Sequence, residues 1–316
     1  MWDAVGGGPP RDTTKFRDEL LWQEYARHWY ARLGAATRTG VRRELPTAAS
    51  GPVDPQGMAC LDLVHEELHT DGWLVNQARM WLASHWAIRN GKTWRDGEDE
   101  MFRHLLDGSR AANRLGWQWT TGVGSHKPYG FSRWQVAKRA PQLCDTCAHA
   151  DSCPIENWPD DPHYVTAPNR TDSVGADWVG PEYVITNETP DSVWLTAESL
   201  GHDDPALSTN PALPAIFVFD EPLLTQLQLS AKRLVFLVEA LAELAEERQL
   251  EVILGDPVKA LAGRRLAVTH APVPGFARRS EYLRPVETHP WPWLCGPTNG
   301  SVASFSAWRK SVRPPG

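Results

Sequence analysis

Three cysteines stand close together in "CDTCAHADSCP", as Cys144, Cys147 and Cys153, with the spacing C-x2-C-x5-C-P. A thiolate is a soft, anionic ligand, and three held this near one another act together only by meeting a metal ion or an iron–sulfur cluster. A thiolate set suits zinc equally well, and three unligated thiols are the plain alternative. The chain has five cysteines in all, unevenly spaced, which does not read as the disulfide framework of a secreted domain. Reduced thiols and a cytoplasmic location are the expectation.

A second group lies just upstream, in "RAANRLGWQWTTG" from Arg110 to Gly122. A buried tryptophan must place its N–H on a partner. Two of them around a glutamine, beside Asn113 and several cations, are more than a plain core asks for. The net charge of −7 argues against nucleic acid when taken alone. Its distribution argues the other way, because no Asp or Glu occurs from Gly108 to Cys144. The same stretch holds Arg110, Arg114, Lys127, Arg133, Lys138 and Arg139, interleaved with Trp117, Trp119, Tyr129, Phe131 and Trp134. That mixture suits a phosphate backbone with stacked bases, and a solvated basic loop is the alternative. The total of 16 tryptophans decides nothing by itself, since indoles fill cores as readily as they stack on bases.

These groups need elements to position them. "KFRDELLWQEYARHWYARL" places Phe16, Leu20, Leu21, Tyr25 and Trp29 at helical spacing. "CLDLVHEELHTDGWLVNQARMWLASHWAIRNG" reads as two helices broken near Asp71-Gly72, with Asp71 capping the second and Gly91 ending it. "GEDEMFRHLLDG" is a short fourth helix, and residues 154–191, rich in Pro, Asp and Asn, read as a linker. After Ser192 the pattern changes. "VWLTA", "AIFVFD", "EVILGD" and "RLAVTHA" are short apolar runs suited to buried parallel strands. Between the second and third, Leu234, Leu237, Val238, Leu241 and Leu244 form a helical stripe, completing a βαβ unit. No G-x-G-x-x-G follows the first strand, so a dinucleotide site is not expected there.

With "ELLW", "GWLVNQARM", "WRDGEDEMF", "DG" and "ANRLGWQW" in this order, residues 14–135 resemble the flavin-binding helical domain of DNA photolyases and cryptochromes. "VWLTAESLGHDDPAL" and "VFDEPLL" with the helix after it are similar to that family's antenna-type α/β domain. In the family the α/β domain comes first and here it follows, as in a circular permutation, which nearby termini make tolerable. The fold class expected is therefore α+β in two parts: an all-α photolyase-like flavin-binding domain with the cysteine group, residues 10–178, then a small Rossmann-like α/β domain, residues 179–316.

The resemblance implies FAD and a set of roles. Asn113 would face the flavin, with Trp117 the proximal electron donor and Trp94 the next relay. Asn76, Arg79 and Met80, at i, i+3 and i+4, share one helical face. Asn76 and Arg79 would contact flavin, with Arg79 paired to Asp107, and Met80 would touch the lesion. Trp73 and Ser109 belong to the same flavin-binding set. Trp119 would stack on damaged bases, Glu19 would hydrogen-bond them and Trp22 would pack on them. Taken singly, Trp73, Trp94 and Met80 read as core, whereas a carboxylate such as Glu19 is seldom buried without a partner. Gln23 stands where the family has an arginine to the cofactor phosphates, Ser109 where it has a second aspartate, and Val41 where the outermost relay tryptophan falls; Trp81 and Trp86 are its candidate substitutes. The phosphate-cradling loop that precedes the first helix in the family has no counterpart, and "GGGPPRDTT" is the segment left to offer N–H groups and hydroxyls. One photolyase branch holds a 4Fe-4S cluster on a cysteine of the helix that starts near Cys60 and on a later cysteine group. The resemblance thus implies Cys60, Cys144, Cys147 and Cys153 as ligands, with zinc as the other metal and His149 or Cys295 as other fourth ligands.

The function this implies is a photolyase: light-driven splitting of cyclobutane pyrimidine dimers in UV-damaged DNA, single- or double-stranded, by an electron from reduced FAD. Val75 occupies the place where an enzyme for the (6-4) photoproduct would need a histidine acid–base, which favours the simpler dimer. A cryptochrome-like photoreceptor without repair and a metal-stapled single-strand binder are the alternatives. No apolar run of about 18 residues suggests a membrane span, the N-terminus lacks the features of a signal peptide, and a monomer is expected.

Overall fold

The computed structural model describes residues 1–46, 49–167 and 179–315. By its contacts the chain divides into two compact units, one of residues 36–170 with 229–233, the other of residues 1–35, 171–228 and 234–316. The expected boundary between residues 178 and 179 adjoins the segment 168–178, which lies outside the described residues. The units depart from the expected partition at the N-terminus. The first helix, α1 (Pro10–Leu33), belongs to the unit that carries the sheet and not to the helical one.

The helical unit contains a two-residue ribbon, β1 (Arg43–Glu44) antiparallel to β2 (Val165–Thr166). Its helices are α2 (Ala59–Thr70), α3 (Asn76–Ser84), α4 (Trp94–His104), α5 (Arg110–Thr120), α6 (Arg133–Arg139) and α7 (Pro141–Asp145). A single π turn, His85–Arg89, extends α3. Cys60, Leu61, Val64 and Leu68 form the buried stripe of α2. Asp71 does not cap the following helix as expected. It closes α2, its N–H bonding the Glu67 carbonyl at 2.9 Å, and Gly72 turns the chain at φ +70°, a conformation that favours glycine. α3 starts only after Val75 and without a side-chain cap. Gly91, at φ +57°, follows the π turn where a terminating glycine was expected. The core is unusually aromatic: Trp81, Trp86, Trp94, Trp117 and Phe131 are all buried in one cluster with Met101 and Leu105.

The second unit holds a six-stranded sheet of order β3-β8-β7-β4-β5-β6. The strands are β3 (Ile185–Thr186), β4 (Ser192–Leu195), β5 (Ala215–Asp220), β6 (Leu250–Gly255), β7 (Leu266–Thr269) and β8 (Glu287–His289). All neighbours are parallel except β3, which runs antiparallel to β8. The four apolar runs read as strands are thus β4 to β7; β4, β7 and the first four residues of β5 are buried, which explains their lack of polar alternation, whereas β6 lies at the sheet edge with Val252 and Leu254 exposed. Val193, Leu195, Ala215 and Phe217 pack on one face with Leu241 and Leu244, while Trp194, Ile216, Val218 and Val268 pack on the other with Phe276. The intervening helices are α8 (Pro205–Thr209), α9 (Glu221–Leu227), α10 (Ala231–Glu247), α11 (Pro257–Ala260) and α12 (Pro274–Leu283), and α13 (Phe305–Ser311) ends the chain. The expected stripe of α10 is buried only at Leu241 and Leu244; Leu234 and Leu237 are half-buried and Val238 is exposed.

α1 packs within this unit against the C-terminal tail. Tyr25 donates its hydroxyl to the Val302 carbonyl at 2.9 Å, and Glu24 accepts from the N–H of Cys295 at 3.1 Å. The indole of Trp22 stacks on Phe305 at 3.9 Å between centroids. Among the apolar residues read from its sequence, Leu21, Tyr25 and Trp29 are buried and Phe16 is exposed.

His85, in the π turn, is 3% exposed. Burial, reinforced by the positive charge of Arg89, pushes its pKa down to about 4 from 6.5. The unfolded chain takes up a proton on this ring below pH ~6.5 while the folded chain refuses it until pH ~4, so stability is full above that window and falls as pH drops through it. The loss amounts to about 3 kcal/mol. Urea unfolding at several pH values is expected to show this slope, and a His85→Gln variant is expected to show a shallower one across the same window.

Candidate functional site

The site grows from one buried carboxylate. Glu98, in the middle of α4, is 1% exposed. Arg110 donates to it at 2.7 Å and Arg114 at 3.1 Å, both from α5. Asn113 adds its side-chain amide to the Glu98 backbone oxygen at 2.8 Å and to the carboxylate at 3.3 Å. A buried charge is tolerated only when paired and hydrogen-bonded, and here two guanidinium groups and an amide surround it. Arg110 also reaches Asp99 at 2.6 Å, and the attraction of the two carboxylates outweighs burial and raises its pKa. Nothing in "WRDGEDE" separates Glu98 from the exposed Asp99 and the half-buried Asp96 and Glu100 except its place directly after a glycine, so sequence reasoning missed both its role and that of Arg114.

This pairing sets the register of α5 and explains "GWQW". Trp117 is 1% exposed and Trp119 is 47% exposed, on opposite sides of the helix. Gln118 between them is a fastener: its amide donates to the carbonyls of Thr37 and Thr39 at 2.9 and 3.0 Å, and its oxygen accepts from the Val41 N–H at 3.1 Å. Trp117 meets Trp86 edge-on with centroids 6.3 Å apart. Gly97 makes that approach feasible, since a Cβ there would lie 2.2 Å from Trp117. Trp94 is buried and donates from Nε1 to Glu44 at 3.0 Å. The indole N–H of Trp117 is itself buried with no hydrogen-bond partner among the described residues.

On α3, Arg79 donates from Nη2 to both carboxylate oxygens of Asp107 at 3.1 and 2.9 Å, and from Nε to the Leu74 carbonyl at 2.9 Å. The expected pair is therefore present, partly open to solvent. Asn76 and Trp73 are exposed and Met80 is half-buried. Ser109 caps α5, accepting from the Ala112 N–H at 3.5 Å. Glu19, Trp22 and Gln23 sit on the exposed face of α1 in the other unit, with one face of Trp22 covered by Phe305. The N–H groups of Gly6 and Gly8 are spent on Asp3 and Val5 within their own turns, and the Thr13 hydroxyl donates to Val5. The segment considered for phosphate binding is thus committed to its own folding.

The cysteines converge in the helical unit. Cys60, Cys144, Cys147 and Cys153 line one cavity, together with Met58, Arg133, Val136 and His149. Burial, then the three neighbouring sulfurs, pushes the Cys60 thiol up to about 12, and burial raises Cys144 against the pull of Arg133. The backbone N–H of His149 points at Cys147 Sγ at 3.4 Å, while its ring bonds the Gln56 carbonyl at 2.8 Å. Cys295 lies elsewhere, buried beside Glu24 in the other unit. Among the described residues, no three of the converging sulfurs fall within 4.8 Å of one another. Four thiolates on a single zinc would sit roughly 3.8 Å apart.

Residues 16–145 match the family described as the FAD binding domain of DNA photolyase. The chain is 32% identical over 146 residues to a deoxyribodipyrimidine photo-lyase of Thermus thermophilus, covering 39% of this chain and 31% of that protein. It is 31% identical over 132 residues to the enzyme of that name from Salmonella typhimurium, covering 39% and 27%, and 30% identical over 123 residues to that of Escherichia coli, covering 34% and 25%. The matched part thus spans less than a third of each of these curated relatives. No solved structure matches the chain.

Removing the carboxylate takes away the Glu98 partner of the buried Arg114 and leaves Arg110 with Asp99 as its carboxylate. A Glu98→Ala variant is expected to lose about 3–5 kcal/mol of stability, read as a lower urea midpoint, with Trp117 fluorescence shifted to the red as α5 loosens. A Glu98→Gln variant, which keeps the hydrogen-bonding shape, is expected to lose less.

Proposed function

We propose, from the match of residues 16–145 to the FAD binding domain of DNA photolyase and from the photo-lyase relatives, that the chain is a photolyase-type flavoprotein that splits cyclobutane pyrimidine dimers in DNA under blue light. The observation that carries the reading is α5, which holds a buried indole and an exposed one on either side of a fastened glutamine. When bound, reduced FAD supplies the light-excited electron.

The chain's own residues would do the rest. Arg79, held by Asp107, and Asn76 would position the flavin. Trp117, edge-on to Trp86 and in one core with Trp94, would carry electrons inward to it. The unpartnered N–H of Trp117 fits a site with one acceptor still to come. Asn113 is committed to Glu98, so its proposed contact to flavin would run through its carbonyl side. These residues fit the flavin ring system better than its phosphates. Trp119, 47% exposed, would stack on an unstacked base, at about 1–3 kcal/mol per base, and Met80 would lie against the dimer. Roles for Glu19, Trp22 and Gln23 rest on the resemblance alone. A photoreceptor without repair is the second reading, favoured by the stack of Trp22 on Phe305, which occupies one face of a ring proposed for the lesion.

We further propose that Cys60, Cys144, Cys147 and Cys153 hold a 4Fe-4S cluster. Among the described residues no three of the sulfurs lie within 4.8 Å of one another, a wider spacing than a single zinc ion asks for, the cavity is mostly apolar, and a backbone N–H meets Cys147, the kind of contact that tunes cluster sulfur.

Reduced protein loaded with FAD and lit with blue light is expected to restore dimer-containing single-stranded DNA. Glu19→Ala should keep flavin photoreduction while repair falls about tenfold or more. Full photoreduction in the wild type with no repair at all would leave the photoreceptor reading. Anaerobically purified protein is expected to carry iron and sulfide in equal amounts with a broad brown absorption, and Cys147→Ser to lose both; zinc in their place would overturn the cluster.

A further inference from the structure

Apart from the cysteines and the tryptophans, the helical unit carries another set of donor atoms. α2 ends in His-Glu-Glu-Leu-His, residues 65–69, and α4 ends in Glu-Met-Phe-Arg-His, residues 100–104. The i, i+4 spacing puts each pair on one helical face. Where the two faces meet, one ligand atom each from His69, Glu100 and His104 lies within 4.8 Å of the others. His69 Nε2 is 3.0 Å and His104 Nε2 is 3.3 Å from the same oxygen of Glu100. Around a tetrahedral ion with ligand bonds near 2.0 Å, neighbouring donors stand roughly 3.3 Å apart. The two nitrogens already stand at that spacing from the carboxylate.

The tautomer of His69 separates this set from an ordinary ion pair. Its Nδ1 is 2.8 Å from the His65 carbonyl, which can only accept, so Nδ1 carries the hydrogen. The neutral ring then turns the Nε2 lone pair onto a carboxylate oxygen, acceptor against acceptor, unless a cation lies between them. An N–H to a backbone carbonyl is also the second contact that a metal-ligating histidine makes, and it fixes ring orientation.

Lys232 opposes the ion. Its ammonium lies 2.8 Å from the His69 carbonyl and 3.2 Å from His104 Nδ1. An ammonium only donates, so it holds the His104 proton on Nε2, facing Glu100. An ion at Nε2 needs the other tautomer and turns the lysine contact from attractive to repulsive.

We propose that His69, Glu100 and His104 form a binding site for a divalent ion of the zinc type, distinct from the cysteine site, which ties α2 to α4 and leaves a position open to solvent. Two imidazoles and a carboxylate suit such ions. The half-exposed side chain of His69 gives access from solvent.

Cobalt(II) is the probe, because a nitrogen and oxygen site gives visible bands without the thiolate charge-transfer absorption a cysteine site would add. The full chain, its cysteine site already occupied, is titrated with cobalt. One equivalent should bind without thiolate absorption. His69→Gln and His104→Gln should each weaken it about tenfold or more, with unchanged far-UV circular dichroism, and Lys232→Met should tighten it several-fold. No saturable band in the wild type, undiminished affinity in both histidine variants, or no tightening in Lys232→Met overturns the proposal.

Discussion

A carboxylate buried in the middle of a helix is the constraint on which the helical unit depends. Glu98 cannot leave water without its cations, and the cations it takes, Arg110 and Arg114, both come from α5. Ion pairs of this kind add little net stability against an apolar substitute, but breaking one is costly. Their value lies in what they forbid. α5 cannot rotate or slide on α4 without stranding a buried charge, so Trp117 must point in and Trp119 must point out. Arg114 extends the restraint to the Thr37 hydroxyl at 3.2 Å, and Gln118 repeats it at the backbone of residues 37–41. The side chains that α5 presents on its two sides inherit their positions from this pairing.

The glycine before Glu98 belongs to the same design. Position 97 has no room for even a methyl group, because the rings of Trp117 and Trp86 close over it. The segment "WRDGE" thus combines a buried indole hydrogen-bonded to Glu44, a gap that admits two more indoles, and the carboxylate that holds their helix. These are packing reasons for residues that also read as a family signature.

Much of the fold was legible because its determinants are local. β4, β5 and β7 could be read from their apolar runs, since a strand buried on both faces has no polar residues to confuse it, and β6 from a similar run although it lies at the exposed edge of the sheet. α2 and α3 could be read from periodicity and from the glycines that end them. What was not legible depended on distant partners. α1 shows apolar residues at the right spacing, but its buried face also carries Glu24, His28 and Arg32, whose partners lie in the last residues of the chain. Nothing near residue 24 announces that its carboxylate will meet the backbone of Cys295. The Arg79–Asp107 pair was legible from the resemblance, whereas Glu98 was not, because a glutamate among other acids on a helix is ordinarily solvated.

The helical unit also places two donor sets of different character on one helix, α2. At its start Cys60 joins three other thiols around a mostly apolar cavity. At its end His69 meets a carboxylate and a second imidazole at the spacing of a small ion's coordination shell. Each set also reaches α2 from a different neighbour, α7 and the loop after it at one end, α4 at the other. The helix that presents Cys60 is therefore anchored at both ends by polar chemistry. Its apolar stripe then needs only to fix its rotation against the tryptophan core.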